Sequence, residues 1–220
     1  MTAAAGAFLQ LIHADDSLLV LNKPPGLLSV PGRGEDKQDC LSRRVQTRYC
    51  DALIVHRLDM ATSGLMLMAR GIDPQRTLSR LFERREIHKR YVAIVEGRPR
   101  EAAASDGWSL IELPIGLDWP RRPLRVVDTA HGKPSLTRWR TLAFDEGANS
   151  TRIELEPVTG RSHQLRVHLR AMGHPILGDA LYAPEATRAK AARLLLHASF
   201  LRFKHPQSGY TVCFESVPDF

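Results

Sequence analysis

The chain has 220 residues, 43% hydrophobic and 25% charged. That is enough for one sizeable core, and no run approaches the roughly 20 apolar residues a membrane-spanning helix needs. The formal net charge is +7, and residues 41–100 alone hold 13 Lys/Arg against 6 Asp/Glu, while the rest of the chain balances. Such a basic excess suits a phosphate-rich partner, whose counterions it displaces, and suits a merely solvated face equally well. Residues 1–11 lack the basic stretch of a secretory signal. Cys40, Cys50 and Cys213 form no C-x-x-C pair, and so fit the reduced thiols of a cytoplasmic protein better than disulfides or a zinc site.

No repeat, low-complexity tract or Gly/Ser linker interrupts the pattern, so residues 1–220 read as a single domain. Residues 8–22 predict two short strands about Asp15-Asp16, the second wholly apolar and therefore buried. It runs into Asn22-Lys23-Pro24-Pro25-Gly26, a rigid turn by composition. Leu41, Val45 and Tyr49 predict a short amphipathic helix, with Arg43, Arg44 and Arg48 on its other faces. Apolar runs at 53–55 and 65–68 then bracket a polar loop in which a single carboxylate, Asp59, stands among His56, Arg57, Thr62 and Ser63. A carboxylate on a loop between rigid strands is where a scaffold presents a reactive group, and equally where an Asp caps a turn.

Asp73-Pro74 predicts a helix start with Asp73 as the cap and Leu78, Leu81 and Phe82 as the buried stripe. Arg76, Arg80, Arg84 and Arg85 fall on its remaining surface, a candidate phosphate-contacting face. Residues 89–95 predict a strand with Tyr91, Ala93 and Val95 on one face. Residues 97–150 carry weaker pattern, with strands near 124–128 and 136–143. Trp108, Trp119 and Trp139 read as core or lid packing ahead of base stacking. A strand closes at Ile153, Leu155 and Pro157. Leu165, Leu169 and Met172 are then helix-spaced with Gly173 as the stop, which puts Arg161 at a helix entrance, where backbone N–H groups favour an anion. Residues 194–198 lead into strands at 199–204 and 209–215.

Nine histidines invite a metal reading. His163 and His168, however, stand about 140° apart on a helix of 3.6 residues per turn and do not face one ion. The chain has no Walker-type loop, no G-x-G-x-x-G and no G-x-S-x-G elbow. What remains is an Asp in basic surroundings, which as an ionised group in a partly dry pocket serves as nucleophile or base. These residues alone do not define its target.

His56-Arg57-Leu58-Asp59-x-x-Thr62-Ser63-Gly64 resembles the central motif of the RluA-type pseudouridine synthases. Asn22-Lys23-Pro24-x-Gly26, Lys89-x-Tyr91-x-Ala93, Thr159-Gly160-Arg161-x-His163-Gln164-x-Arg166 and Leu194-Leu195-Leu196-His197-Ala198 match further motifs of that family in order. The resemblance runs from about residue 18 to the C-terminus. It implies an α+β pseudouridine synthase fold: a curved, mixed, mainly antiparallel sheet flanked by helices and loops, with no separate S4 domain. It also implies isomerisation of uridine in structured RNA with base flipping, no cofactor, no metal and a monomeric cytoplasmic enzyme. The compact form is most similar to members that act on transfer RNA and 23S ribosomal RNA.

By this resemblance Asp59 attacks or deprotonates the nucleotide, Tyr91 packs on the flipped base, and Arg161 pairs with Asp59 to keep it ionised. Leu195 walls the pocket and Arg57 fills the space the base leaves. His56, Thr62 and His163 join the substrate site, and Arg84, Arg85 and Arg166 meet the RNA backbone. Met60-Ala61 departs mildly from the charged pair common after the Asp. Two other classes stay open: a non-catalytic RNA-binding module or chaperone, for which a carboxylate amid cations has no use, and a hydrolase pairing Asp59 with a histidine.

Overall fold

The computed structural model describes residues 9–101 and 106–220; the expectations touching residue 8 and residues 102–105 lie outside them. The first hairpin joins β1 (Gln10–Ala14) to β2 (Leu18–Lys23). Asp15 makes its turn by accepting the N–H groups of Ser17 and Leu18 at 2.7 and 2.9 Å. There follow α1 (Leu41–Gln46), β3 (Ala52–Ile54), β4 (Ser63–Arg70), α2 (Ile72–Glu83) and β5 (His88–Glu96). Next come β6 (Ser109–Glu112), β7 (Ile115–Leu117), β8 (Arg125–Val127), β9 (Leu136–Asp145) and β10 (Ser150–Pro157). The chain closes with α3 (Gln164–Ala171), α4 (Glu185–Arg188), β11 (Leu196–Lys204) and β12 (Thr211–Glu215).

The main sheet runs β1-β2-β4-β11-β5-β10-β9-β6, with β3 beside β4 and β12 beside β11. Every pairing is antiparallel except β4 with β11. This is the expected α+β fold, a mixed and mainly antiparallel sheet flanked by helices and loops.

Burial explains the unbroken apolar runs. In β2, Leu18 and Val20 enter one core cluster with Leu78 of α2, while Leu19 and Leu21 enter another with Leu41 and Val45 of α1. β4 divides likewise, Leu65, Leu67 and Ala69 to one side and Met66 and Met68 to the other. A strand covered on both faces has no polar alternation to show. A third cluster joins β5, β10 and α3 through Ala93, Val95, Ile153, Leu155, Leu165 and Leu169.

Three expectations are displaced. α2 starts at Ile72 with Gly71 as its cap, because the Gly71 N–H still bonds Asp51 across the β3–β4 pair and the chain turns there; Asp73 and Pro74 fall in the first turn. β6, β7 and α4 are too short for periodicity to reveal. Trp108 and Trp139 are buried as expected, but Trp119 is 67% exposed, on the loop between β7 and β8, which pair with each other outside the main sheet.

The parallel β4–β11 contact sets Ser63 opposite His197 and Gly64 opposite Ala198. Gly64 has φ +108°, and a Cβ there would stand 2.3 Å from the Ala198 carbonyl oxygen and 2.5 Å from its nitrogen. Backbone approach, rather than chemistry, therefore demands this glycine. We expect Gly64→Ala to destabilise the fold by at least about 3 kcal/mol, measured by urea denaturation; a loss below about 1 kcal/mol would show that β11 can move aside.

Candidate active site

The loop between β3 and β4 is held from beneath by the segment that follows β2. Ser29 Oγ donates to the Leu58 carbonyl at 2.7 Å and accepts the Leu58 N–H at 3.1 Å. The Met60 carbonyl accepts the Gly26 N–H at 2.9 Å and Lys23 Nζ at 3.0 Å. Lys23, fully buried, also donates to the carbonyls of Pro24 and Leu27 at 2.8 and 2.7 Å. Buried carbonyls need donors, and one ammonium serves three of them. Burial draws Lys23 down to about 8, opposed by the negative charge of Asp59. The Asn-Lys-Pro-x-Gly stretch is thus more than a turn: it is the platform under Asp59.

Above the platform opens a cavity of about 680 Å³. Asp59 stands in its wall with 26% of its side chain exposed; Arg166 Nη1 lies 3.4 Å and His163 Nε2 3.8 Å from its Oδ2. Arg166 projects from the first turn of α3 and is itself buried, its Nε and Nη2 donating to Asp179 at 2.8 and 2.6 Å. Burial alone would lower the Arg166 pKa, but the bonds and charge of Asp179, with Asp59 behind them, push it up. Asp179 is itself fixed by the N–H groups of Leu181 and Tyr182, at 2.9 and 3.1 Å.

His163 occupies the left-handed region (φ +57°) at the head of α3, so its ring turns back into the cavity. Its Nδ1 lies 2.6 Å from the Tyr182 hydroxyl, which accepts the Arg125 N–H at 2.9 Å. The Tyr182 hydroxyl thus fixes the ring's orientation, with Nε2 facing Asp59. Burial lowers the His163 pKa despite Asp59 and favours the neutral ring. Tyr91, from β5, lines the same cavity; burial and then the charge of Asp59 raise its pKa, so the phenol keeps its proton.

His56 also faces the cavity, but it serves as a strut. Its Nε2 accepts the Leu67 N–H at 2.9 Å and its ring stacks on Phe82 at 4.4 Å. Burial, then the charge of Lys89, lowers its pKa to about 3. Thr62 lines the cavity beside it, and the mouth carries Arg57, Arg85, Lys89, Arg125 and Arg161. Only the first three of these cations come from the basic 41–100 segment. Several of its other cations are spent on ion pairs elsewhere, such as Arg44 with Asp39 and Arg70 with Asp51.

Three sequence expectations need correction. Arg161 does not pair with Asp59: α3 begins only at Gln164, leaving Arg161 in the preceding loop with its guanidinium on the Pro134 carbonyl at 3.4 Å, while Arg166 takes the carboxylate. Arg166 is accordingly no backbone contact for RNA, being 4% exposed behind Asp59. The leucine in the cavity wall is Leu196; Leu195, one position earlier in an extended segment, packs at the edge of the β5–β10–α3 cluster. Arg85 reaches the wall through a left-handed residue at the end of α2 (φ +61°), whereas Arg84 is exposed outside it. Among the described residues no three His, Cys, Asp or Glu side chains form a group that could hold a metal.

Residues 17–171 match the RNA pseudouridylate synthase family. The chain belongs to that family. It is 46% identical over 213 residues to the dual-specificity RNA pseudouridine synthase RluA of Escherichia coli (strain K12), covering 97% of this chain and 94% of the relative. The RluA of Pasteurella multocida (strain Pm70) is 43% identical over 219 residues, covering 100% and 97%. Among solved structures, human RNA pseudouridylate synthase domain containing 1 superposes with a TM-score of 0.79 at 28% identity, over 100% of this chain and 87% of that one. Human RNA pseudouridylate synthase domain containing 4 does so at 0.72 and 25%, over 95% and 88%.

The synthase site also contains residues that sequence reasoning passed over. Lys23 and Ser29 were hidden in an apparent turn, and Asp179 and Tyr182 in Gly178-Asp179-x-x-Tyr182, whose acid was the available signal. Gln164 is another. Buried beneath the Arg161 loop, it accepts the Arg161 N–H and the Thr159 hydroxyl and donates to the Leu136 carbonyl and Thr137 Oγ1, so all its bonds are made.

Removing Asp179 strands a buried guanidinium. We expect Asp179→Ala to cost about 3–5 kcal/mol in urea denaturation, and a loss under 1 kcal/mol would mean that Arg166 finds water instead. His56 governs an acid window. Its folded pKa of about 3 lies below the ordinary 6.5, so as pH falls the unfolded chain takes up the proton first. Stability attributable to His56 is therefore intact above pH 6.5 and declines from there towards pH 3. His56→Gln, which keeps an acceptor for Leu67, is expected to flatten the stability–pH curve in that window; an unchanged slope would assign the acid sensitivity to other groups.

Proposed function

We propose that the synthase isomerises uridine to pseudouridine in stem-loops of transfer RNA and of 23S ribosomal RNA, as a monomeric, single-domain cytoplasmic enzyme, with Asp59 as its essential carboxylate. The observation that carries this reading is the ionic setting of Asp59: a largely buried carboxylate against a buried, fixed guanidinium, inside a cavity lined by further cations. An RNA-binding module gains nothing from such a group, which repels phosphate.

In the reaction the C1′–N1 bond breaks, the uracil turns, C5 bonds to C1′ and loses its proton, and N1 gains one, so that the product is an isomer of uridine. The uridine must leave its stack to expose C1′, and Arg57 at the mouth is placed to occupy the vacated space. Both Arg166 and the His163 ring address Asp59 Oδ2, so we assign Oδ1 to the substrate, where it either attacks the sugar or removes a proton. Arg166 holds the carboxylate ionised and aimed. Tyr91, protonated and beneath the base, supports the turning ring and assists the proton at C5. Leu196 walls the base, Thr62 and His163 complete the pocket, and Arg85 with Lys89 takes the backbone phosphates.

The decisive experiment is carbodiimide-adduct primer extension on unmodified transfer RNA and 23S RNA. Stops are expected with the wild type and with neither Asp59→Asn nor Tyr91→Phe, although both variants still bind the RNA. Turnover by Asp59→Asn, or loss of binding in place of turnover, would sink the assignment.

A further inference from the structure

We propose that Trp119, backed by Arg122, is a stacking platform for an unpaired nucleobase next to the flipped uridine; this rests on the RNA reading above. Among the three tryptophans, Trp108 and Trp139 are 7% and 1% exposed and Trp119 is 67% exposed. An indole is costly to leave in water, and this one is held there by a closed loop. Asp118, 8% exposed, accepts the Arg121 backbone N–H at 3.3 Å and its Nε at 2.8 Å. The Asp118 and Leu124 N–H groups bond the Leu124 and Arg121 carbonyls at 3.1 and 3.0 Å. The Arg122 guanidinium lies over the indole, 3.7 Å from the ring centroid.

The platform is continuous with the active site. Pro123 and Arg125, farther along the same loop and hairpin, line the cavity that holds Asp59, and the Arg125 N–H is bonded to Tyr182, the residue that fixes His163. Trp119 lies four positions before Pro123, at most about 14 Å of chain, within reach of a nucleotide beside the flipped one. The ring's chemistry selects the ligand. Trp and Arg planes are what splayed bases of RNA loops stack upon, and every base offers a π-face. The neighbouring Arg122 attracts phosphate and would repel a basic partner, while Arg121 is paired with Asp118.

The test uses the full-length protein with an unmodified transfer-RNA anticodon stem-loop. Trp119→Ala is expected to weaken binding roughly 5- to 150-fold and to raise KM while kcat at saturating RNA is preserved; Trp119→Phe recovers most of the affinity. Abasic substitution along the loop should cost the wild type affinity at one position to which Trp119→Ala is indifferent. Indole emission should be quenched by RNA in the wild type and not in Trp119→Phe. Unaltered binding by Trp119→Ala, or a loss that Phe does not recover and that shows no abasic dependence, overturns the platform while leaving the assignment of Asp59 intact. Quenching by a single-stranded oligonucleotide needs no turnover. If it occurs while the wild type modifies neither proposed RNA, the substrate assignment falls and the platform stands.

Discussion

A guanidinium buried between two carboxylates organises this molecule. Taking Arg166 out of water costs several kcal/mol, and the loss is offset only when its donors are met in good geometry. Asp179 meets two of them side by side and is itself fixed by two backbone N–H groups. The remaining edge of the fork falls to Asp59. Three segments far apart in sequence, the β3–β4 loop, α3 and the stretch before α4, must therefore be in place together. Close approach tightens the arrangement: at Gly178 (φ +73°) a Cβ would stand 1.8 Å from the Arg193 carbonyl.

Asp59 is held from a second side by a different device. Lys23 lies beneath the loop, its charge solvated by three carbonyls in place of water, and its pKa is lowered for want of that water. His163 closes a third side, its ring held by Tyr182. The carboxylate thus sits in fixed positive surroundings that need no rearrangement when charge shifts, the condition under which electrostatic assistance is strongest. Burial, and then the negative charge of Asp59, keep Tyr91 protonated, because a phenolate there would be a second buried negative charge.

Much of this was legible in the chain. The doubly buried strands β2 and β4 announce themselves as apolar runs, and the loop carrying Asp59 stands out between two of them. The helix of Leu165, Leu169 and Met172 follows from spacing. Partners were not legible, because they depend on where an element begins to within one turn. Arg161 and Arg166 are five residues apart in one motif, and only the start of α3 at Gln164 decides which of them faces Asp59. Leu195 and Leu196 exchange places by the single-residue alternation of an extended chain. The burial of Lys23 and the reach of Asp179 are tertiary facts with no local signature. The hairpin of β7 and β8 leaves no periodic trace, because its strands are three residues each, too short to show alternation.

That last point bears on how one scaffold serves its RNA. The groups around Asp59 hang on the β3–β4 loop, on β5 and on helix α3, whose positions the core fixes. The groups facing outward from the cavity sit on its periphery: Arg85 at the end of α2, and Pro123 and Arg125 on the hairpin. Of the three non-glycine residues with positive φ among the described residues, Arg85 and His163 both line the cavity, and the third, Asn149, makes the turn between β9 and β10. Strained backbone persists only where the surroundings impose it, and here it aims two side chains at the space an RNA loop would fill. Although the hairpin pairs outside the main sheet, it is tied to the site: Ile115, Leu124 and Val127 pack with Val167 of α3 and with Tyr182, whose N–H holds Asp179.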